Sequence, residues 1–464
     1  MLLSLTGCPS PCSGADCAED FSASLARVHL NFNDFDRPPQ TPERAQMTFR
    51  GTTELGPDWS MRITDGWAFV GSDAGDQVFS LGGDRRVTVR PEDADGVLLG
   101  PTGEGFGRDL AVLAGDAGDG LAVGAPLRDR ATITRREGGV YIFDELGEGF
   151  EDERTFSDAR LIVFGEDPGG ELGDRVVACG DLDGDGLTDW AASAPKDNSG
   201  QTLAGLSILG LSTQLPASGS VSARSLPFFI GTTTGERSGA ALRCQDDFTG
   251  DGVPDLLIGA PFADPQVGSD AFGAVYIVDA SAPVSGPLFE TAALVLYGES
   301  EDSWLGWAID TGDINGDGIP EIAAGAPGAS GATGEVLIWD GDDLITNGQT
   351  TPRFRFTGDG FGDGFGRSVR IRDLDQDGYG DVLVGAPRHN PSGDDPEAFN
   401  SGALYVYAGA EGFIGWRTVR DVDSAEVVFT ADQQYLQTGQ RIEIGDFDAD
   451  GTPDVGLLHR TEPE

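Results

Sequence analysis

The sequence predicts an all-β fold assembled as one repetitive array, and three observations carry that reading. Seventy glycines and 26 prolines punctuate 464 residues of which 39% are apolar, a composition of short strands joined by turns with ample material for a continuous core. A glycine recurs at the head of seven units, Gly56, Gly107, Gly173, Gly239, Gly306, Gly366 and Gly439, which lie 51 to 73 residues apart. An acidic turn follows five of these glycines and runs each time into an apolar segment. Units of this size cannot bury both faces alone, so neighbours must stack to form a core. A length beyond a typical single domain is thereby explained by repetition.

Each complete unit divides into four strands. The first follows the glycine, and the acidic turn leads into the second. That strand closes on Gly124-Ala125-Pro126, Gly259-Ala260-Pro261, Gly325-Ala326-Pro327 or Gly385-Ala386-Pro387, with Ser193-Ala194-Pro195 a near match. Third strands are GGVYIF, AGLSIL, GAVYIV, GEVLIW and GALYVY. Fourth strands are ARLIVFGE, AALVLYGE and PRFRFTGD; RAQMTFRG, residues 44–51, resembles them and sets the phase of the repeat.

The acidic turn is the candidate site. In GDLDGDGLTDW, Asp181, Asp183, Asp185 and Asp189 occupy loop positions 1, 3, 5 and 9, and Gly186 at position 6 permits the sharp turn that aims those oxygens at one point. The other copies are Asp247, Thr249, Asp251 and Asp255; Asp313, Asn315, Asp317 and Glu321; Asp373, Asp375, Asp377 and Asp381; and Asp446, Asp448, Asp450 and Asp454. Hard oxygen ligands in a flexible loop suit Ca2+, giving about five sites. Carboxylates held near 5 Å repel by about 3 kcal/mol per pair at an effective dielectric of 20, which a bound cation relieves. The first unit lacks the loop, and in the second Asp116 and Asp119 are too few for a site.

Phe106-Gly107 with Gly124-Ala125-Pro126, and Phe365-Gly366 with Gly385-Ala386-Pro387, resemble FG-GAP repeats, the blades of the integrin α-subunit N-terminal propeller and of many bacterial surface proteins. The resemblance covers residues 24–464 and implies a seven-bladed β-propeller of four-stranded antiparallel blades around a channel. It also implies that partners bind the face opposite the metal loops, where the insertions at 128–137 and 388–402 fall. The seventh unit ends after two strands, whereas two surplus strands, LARVHLNF and RAQMTFRG, precede the first unit. A last blade built two plus two is therefore expected, with residues 439–460 inside and 24–51 outside. Cys179 and Cys244 lie on equivalent first strands of neighbouring units and face each other across that junction, as an inter-blade disulfide or as two buried thiols.

Residues 1–8 end in Leu5-Thr6-Gly7-Cys8, which resembles the bacterial lipobox and marks Cys8 for lipidation, without the usual basic start. Residues 9–23 read as a flexible tether, in which Cys12 and Cys17 are close enough for a local disulfide. A bacterial cell-envelope or extracellular protein, an outer-membrane lipoprotein, is the expectation, monomeric and touching membrane only through its lipid. Net charge of −48 argues against nucleic acid and anionic membrane surfaces as partners. Three histidines and the absence of HExxH, GxSxG and GxxxxGK[ST] leave zinc hydrolases, serine hydrolases and NTPases without their residues. Trp304, Trp307 and Trp416 read as blade packing, with a sugar platform as the alternative. Two functions remain: a calcium-binding adhesion or binding module for a protein or glycan, and a propeller lyase or glycosidase using paired carboxylates at the channel mouth.

Overall fold

The computed structural model describes residues 2–5, 22–26, 47–50, 59–64, 67–72, 76–82, 88–89, 94–114, 120–129, 135–144, 146, 149–264, 271–390, 400–411, 418–431, 437–447 and 449–459. Among the described residues the strands form seven sheets. Blade 3 typifies them: Arg175–Gly180 pairs antiparallel with Asp189–Ala194, then Leu206–Gly210, then Phe228–Ile230. The inner strands, Trp59–Thr64, Leu110–Leu113, Arg175–Gly180, Ala241–Arg243, Ala308–Gly312, Ser368–Arg372 and Arg441–Gly445, touch one another in that order. Arg441–Gly445 also touches Trp59–Thr64, so the circuit is closed and the fold is a β-propeller.

Second strands carry the packing. Gly120–Ala125, Asp189–Ala194, Glu321–Ala326 and Asp381–Ala386 are buried along their whole length. Their small residues let neighbouring sheets approach closely, and the apolar clusters accordingly cross blade boundaries: Ala191, Leu209 and Phe229 of blade 3 pack with Ile258 and Tyr276 of blade 4. Fourth strands such as Leu161–Phe164 and Phe354–Thr357 alternate buried with half-buried residues.

The glycine pair of each unit has a physical reason. Gly306 and Gly366 adopt φ of +87° and +84°, conformations costly for any side chain, and each donates its N–H to the Gly-Ala-Pro glycine of its own blade, at 3.1 Å in both cases. Their carbonyls abut the preceding blade so closely that a Cβ on Gly259 or Gly325 would overlap them. Where the second-strand residue is Ser193, its hydroxyl instead donates to the Gly239 carbonyl at 2.7 Å.

Blade 7 is built from both ends of the chain. Arg441–Gly445 and Asp454–His459 form its inner half; Ser22–Ala26 and Met47–Arg50 form its outer half. The third strand differs from the expected 25–32. It begins at Ser22, inside the segment expected to be tether, because pairing with Asp454–His459 runs from Ser22 opposite His459 to Ala26 opposite Val455.

One arrangement was not foreseen. The connection between third and fourth strands runs parallel along the outer edge of the preceding blade: Glu153–Thr155 on Gly96–Leu99, Gly219–Ser222 on Leu161–Phe164, and Thr418–Asp421 on Phe354–Thr357. Each clasp covers an edge that would otherwise offer unpaired backbone groups. Leu2–Leu5 takes the same place beside Val427–Ala431 of blade 6. Among the described residues no helix is long and apolar enough to cross a membrane.

Candidate metal loops and channel

The five acidic loops share one hydrogen-bond pattern. The carboxylate at position 1 accepts the loop's own N–H groups: Gly186 N–H reaches Asp181 at 2.9 Å, Gly252 reaches Asp247 at 2.6 Å, Gly318 reaches Asp313 at 2.8 Å, Gly378 reaches Asp373 at 2.9 Å and Gly451 reaches Asp446 at 2.6 Å. These glycines hold φ between +84° and +93°, which is why position 6 carries no side chain. The position 5 carboxylates, Asp185, Asp251, Asp317, Asp377 and Asp450, each accept the N–H two residues on.

Position 9 is buried in every loop. Asp189, Asp255 and Glu321 have no exposed surface, Asp381 is 1% exposed and Asp454 5%. Each accepts the N–H of loop position 2, at 2.7 to 3.0 Å. Burial pushes Asp255 and Asp381 up to about 7 and Glu321 to about 8, and neighbouring carboxylates, Asp247, Asp375 and Asp317 among them, add to the rise. Asp189 is raised too, chiefly by burial.

The ligand atoms of Asp181, Asp183 and Asp189, and of Asp373, Asp375 and Asp381, lie within 4.8 Å of one another. At position 3 of the remaining described loops, the Thr249 hydroxyl lies between Asp247 at 3.4 Å and Asp255 at 3.3 Å, and the Asn315 amide donates to Glu321 at 3.0 Å. Asp448 lies outside the described residues. All donors are hard oxygens, and a buried carboxylate crowded by others is the environment a divalent cation relieves. The residues present therefore fit calcium.

The FG-GAP repeat family matches residues 244–278, 305–339 and 365–407, which run through the third strand of blades 4, 5 and 6 from just after the first strand in blade 4 and from just before it in blades 5 and 6. The chain carries FG-GAP repeats. Integrin α subunits are its homologues: it is 28% identical over 160 residues to integrin alpha-V of Gallus gallus, covering 34% of this chain and 14% of that one. The figures are 33% over 162 residues for integrin alpha-4 of Xenopus laevis, covering 34% and 15%, and 29% over 166 residues for integrin alpha-PS3 of Drosophila melanogaster, covering 35% and 13%. The matched segment thus spans about a seventh of these relatives' length.

Inside the ring of blades runs a channel of about 1030 Å³, lined by the inner strands. Every junction in its wall carries a polar or covalent tie. Arg62 of blade 1 meets Asp109 of blade 2 at 2.9 Å and Glu443 of blade 7 at 3.5 Å. Arg108 meets Asp174 of blade 3 at 3.1 Å, Arg243 of blade 4 meets Asp310 of blade 5 at 3.0 Å, and Arg370 of blade 6 meets Glu443 at 3.4 Å. Asp310 also accepts the Ile371 N–H at 2.7 Å. Between blades 3 and 4 Cys179 and Cys244 are joined by a disulfide, with Cα atoms 4.6 Å apart. Cys8, Cys12 and Cys17 lie outside the described residues, as does Trp416. Trp304 and Trp307 are half-buried, and Trp307 faces the channel, a place that blade packing alone does not describe.

The arginine lining of the channel is what sequence reasoning missed. Its arginines follow the unit glycines, as in Gly107-Arg108 and Gly366-Arg367, or alternate along the inner strands, as in Arg370 and Arg372. That pattern was the available signal.

Proposed function

We propose that the protein is a calcium-binding β-propeller serving as a binding or adhesion module on a bacterial cell envelope or another extracellular surface. The observation that carries this reading is the loop repeated five times with one hydrogen-bond pattern and one buried carboxylate, set in integrin α-like repeats. Calcium holds the first and second strands together at one end of each loop-bearing blade. The opposite face, where connections between second and third strands gather, takes a protein or glycan ligand. A lipid on Cys8 would tether the protein, as a monomer, to the outer membrane, and the cleavage that frees Cys8 would take Leu2–Leu5 off the edge of blade 6.

The carboxylates lining the channel, Asp109, Glu171, Asp174, Asp310 and Glu443, are each within ion-pair distance of an arginine or lysine. Such pairing supports binding over the alternative, acid–base cleavage of a polysaccharide, which needs one carboxyl that keeps its proton. The test is to array the calcium-loaded protein against envelope extracts and glycans, with a chelated arm. Capture that is blocked by bulky labels on the face opposite the loops is expected; polysaccharide cleavage, or capture insensitive to those labels, would overturn the reading.

A further inference from the structure

The channel has the opposite charge to the chain around it. Eleven of the 30 lysines and arginines line it, against five of the 78 aspartates and glutamates, while the whole chain carries −48. Those five carboxylates are all matched in the wall ties and in the Lys196 to Glu171 pair at 2.7 Å. Arg237 and Arg367 stand apart from this pairing. Each lies just before or after a unit glycine, at the channel mouth opposite the metal loops. Among the described residues neither has a carboxylate within ion-pair distance. Instead the Arg237 guanidinium sits 5.3 Å from the centre of the Phe262 ring, and that of Arg367 sits 4.0 Å from Trp307. The two rings are 6.1 Å apart and nearly perpendicular, at 82°, with Trp304 6.1 Å from both. Burial, then the charges of Arg388 and Arg175, lower Arg367 to about 10, still charged at neutral pH.

We propose that this mouth binds an acidic oligosaccharide, with Arg237 and Arg367 each taking a carboxylate of a different sugar unit and the Phe262 and Trp307 side chains between them meeting the apolar faces of the chain. The inference rests on the reading of that face as the ligand face. A guanidinium fork matches a planar oxyanion in two hydrogen bonds, and a low-dielectric mouth with surplus cations concentrates anions. A carboxylate on a peptide side chain would engage the arginines but bring no apolar ring face to the aromatic side chains beside them. The sugar uses both.

The experiment titrates calcium-loaded protein with hexagalacturonate, its methyl ester and hexaglutamate, following heat and tryptophan fluorescence. Hexagalacturonate is expected to bind about tenfold more tightly than either control, and less tightly as salt is raised. Arg237→Gln with Arg367→Gln should lose about tenfold, and the paired lysine variant, which keeps charge without the fork, should fall between. Should the glutamine pair fail to fold, the lysine pair alone decides. Binding that neither variant weakens, equal binding of hexaglutamate, or no binding of hexagalacturonate overturns the proposal. Continued capture of extract ligands by a protein that ignores hexagalacturonate would sink this inference and leave the ligand face standing; loss of both would sink the two together.

Discussion

The two ends of an inner strand face opposite electrostatic worlds. At one end Asp181 and its four counterparts open loops whose carboxylates crowd together and call for a cation. At the other end, Arg108, Arg175, Arg367 and Arg441 crowd cations into a channel. The loops gather their charge within nine consecutive residues, so each is a site by itself. The channel gathers residues from every blade and exists only when the ring is closed. One end therefore depends on local chain geometry and the other on assembly, and the following perturbations separate them.

The largest effect should come from opening the ring. Deleting residues 22–51 removes the outer half of blade 7, Ser22–Ala26 and Met47–Arg50, and leaves Asp454–His459 as a bare edge. Loss of cooperative unfolding for the whole chain is expected in calorimetry; an intact, equally stable remainder would show that blade 7 does not close the array.

Next in size is the pH dependence of the metal-free protein. Asp255, Glu321 and Asp381 hold protons up to about 7, 8 and 7 in the folded chain, whereas unfolded carboxyls release theirs near 4. The native state thus binds more protons between these limits, so metal-free stability should fall as pH rises from about 4 to 8. Calcium competes with those protons, and the gap in melting temperature between loaded and metal-free protein should widen over the same range. A gap that narrows would contradict the buried position 9 account.

Breaking the Cys179 to Cys244 disulfide by serine substitution removes the covalent tie between blades 3 and 4 and should cost about 2–4 kcal/mol in denaturant unfolding. A non-reduced digest in which both cysteines alkylate would remove the basis of that expectation. Smaller still is Gly325→Ala, whose new methyl meets the Gly366 carbonyl of the next blade. Overpacking there should cost about 1–3 kcal/mol. An unchanged midpoint would show that the blades can part at no cost.

Much of this was legible in the sequence, because the repeat writes the same instruction several times. The unit glycines, the Gly-Ala-Pro triads and the acidic loops each act within one unit or between neighbours, and their spacing survives inspection along a line. Ser22–Ala26 was placed late because alternation favours the longer LARVHLNF, whereas its partner strand decides where pairing starts. The clasps such as Glu153–Thr155 were missed because three residues carry no periodicity, although a short helical turn at Phe156–Asp158, Ala223–Ser225 and Val422–Ser424 follows them in three units. The ion-paired wall joins residues such as Arg62 and Glu443, 381 positions apart, and no local pattern announces such a pair.

The central claim is that the repeated loops are cation sites, and counting bound metal tests it most directly. Protein purified in calcium and passed into metal-free buffer should retain about five ions per chain by elemental analysis, at the loops closed by Asp189, Asp255, Glu321, Asp381 and Asp454. Each replacement of a position 9 carboxylate by its amide should remove about one ion. At a hundredfold excess over Kd, each site adds about 2.7 kcal/mol, so loaded and chelated melts should separate by many degrees. No bound calcium, together with superimposable melts, would contradict the account.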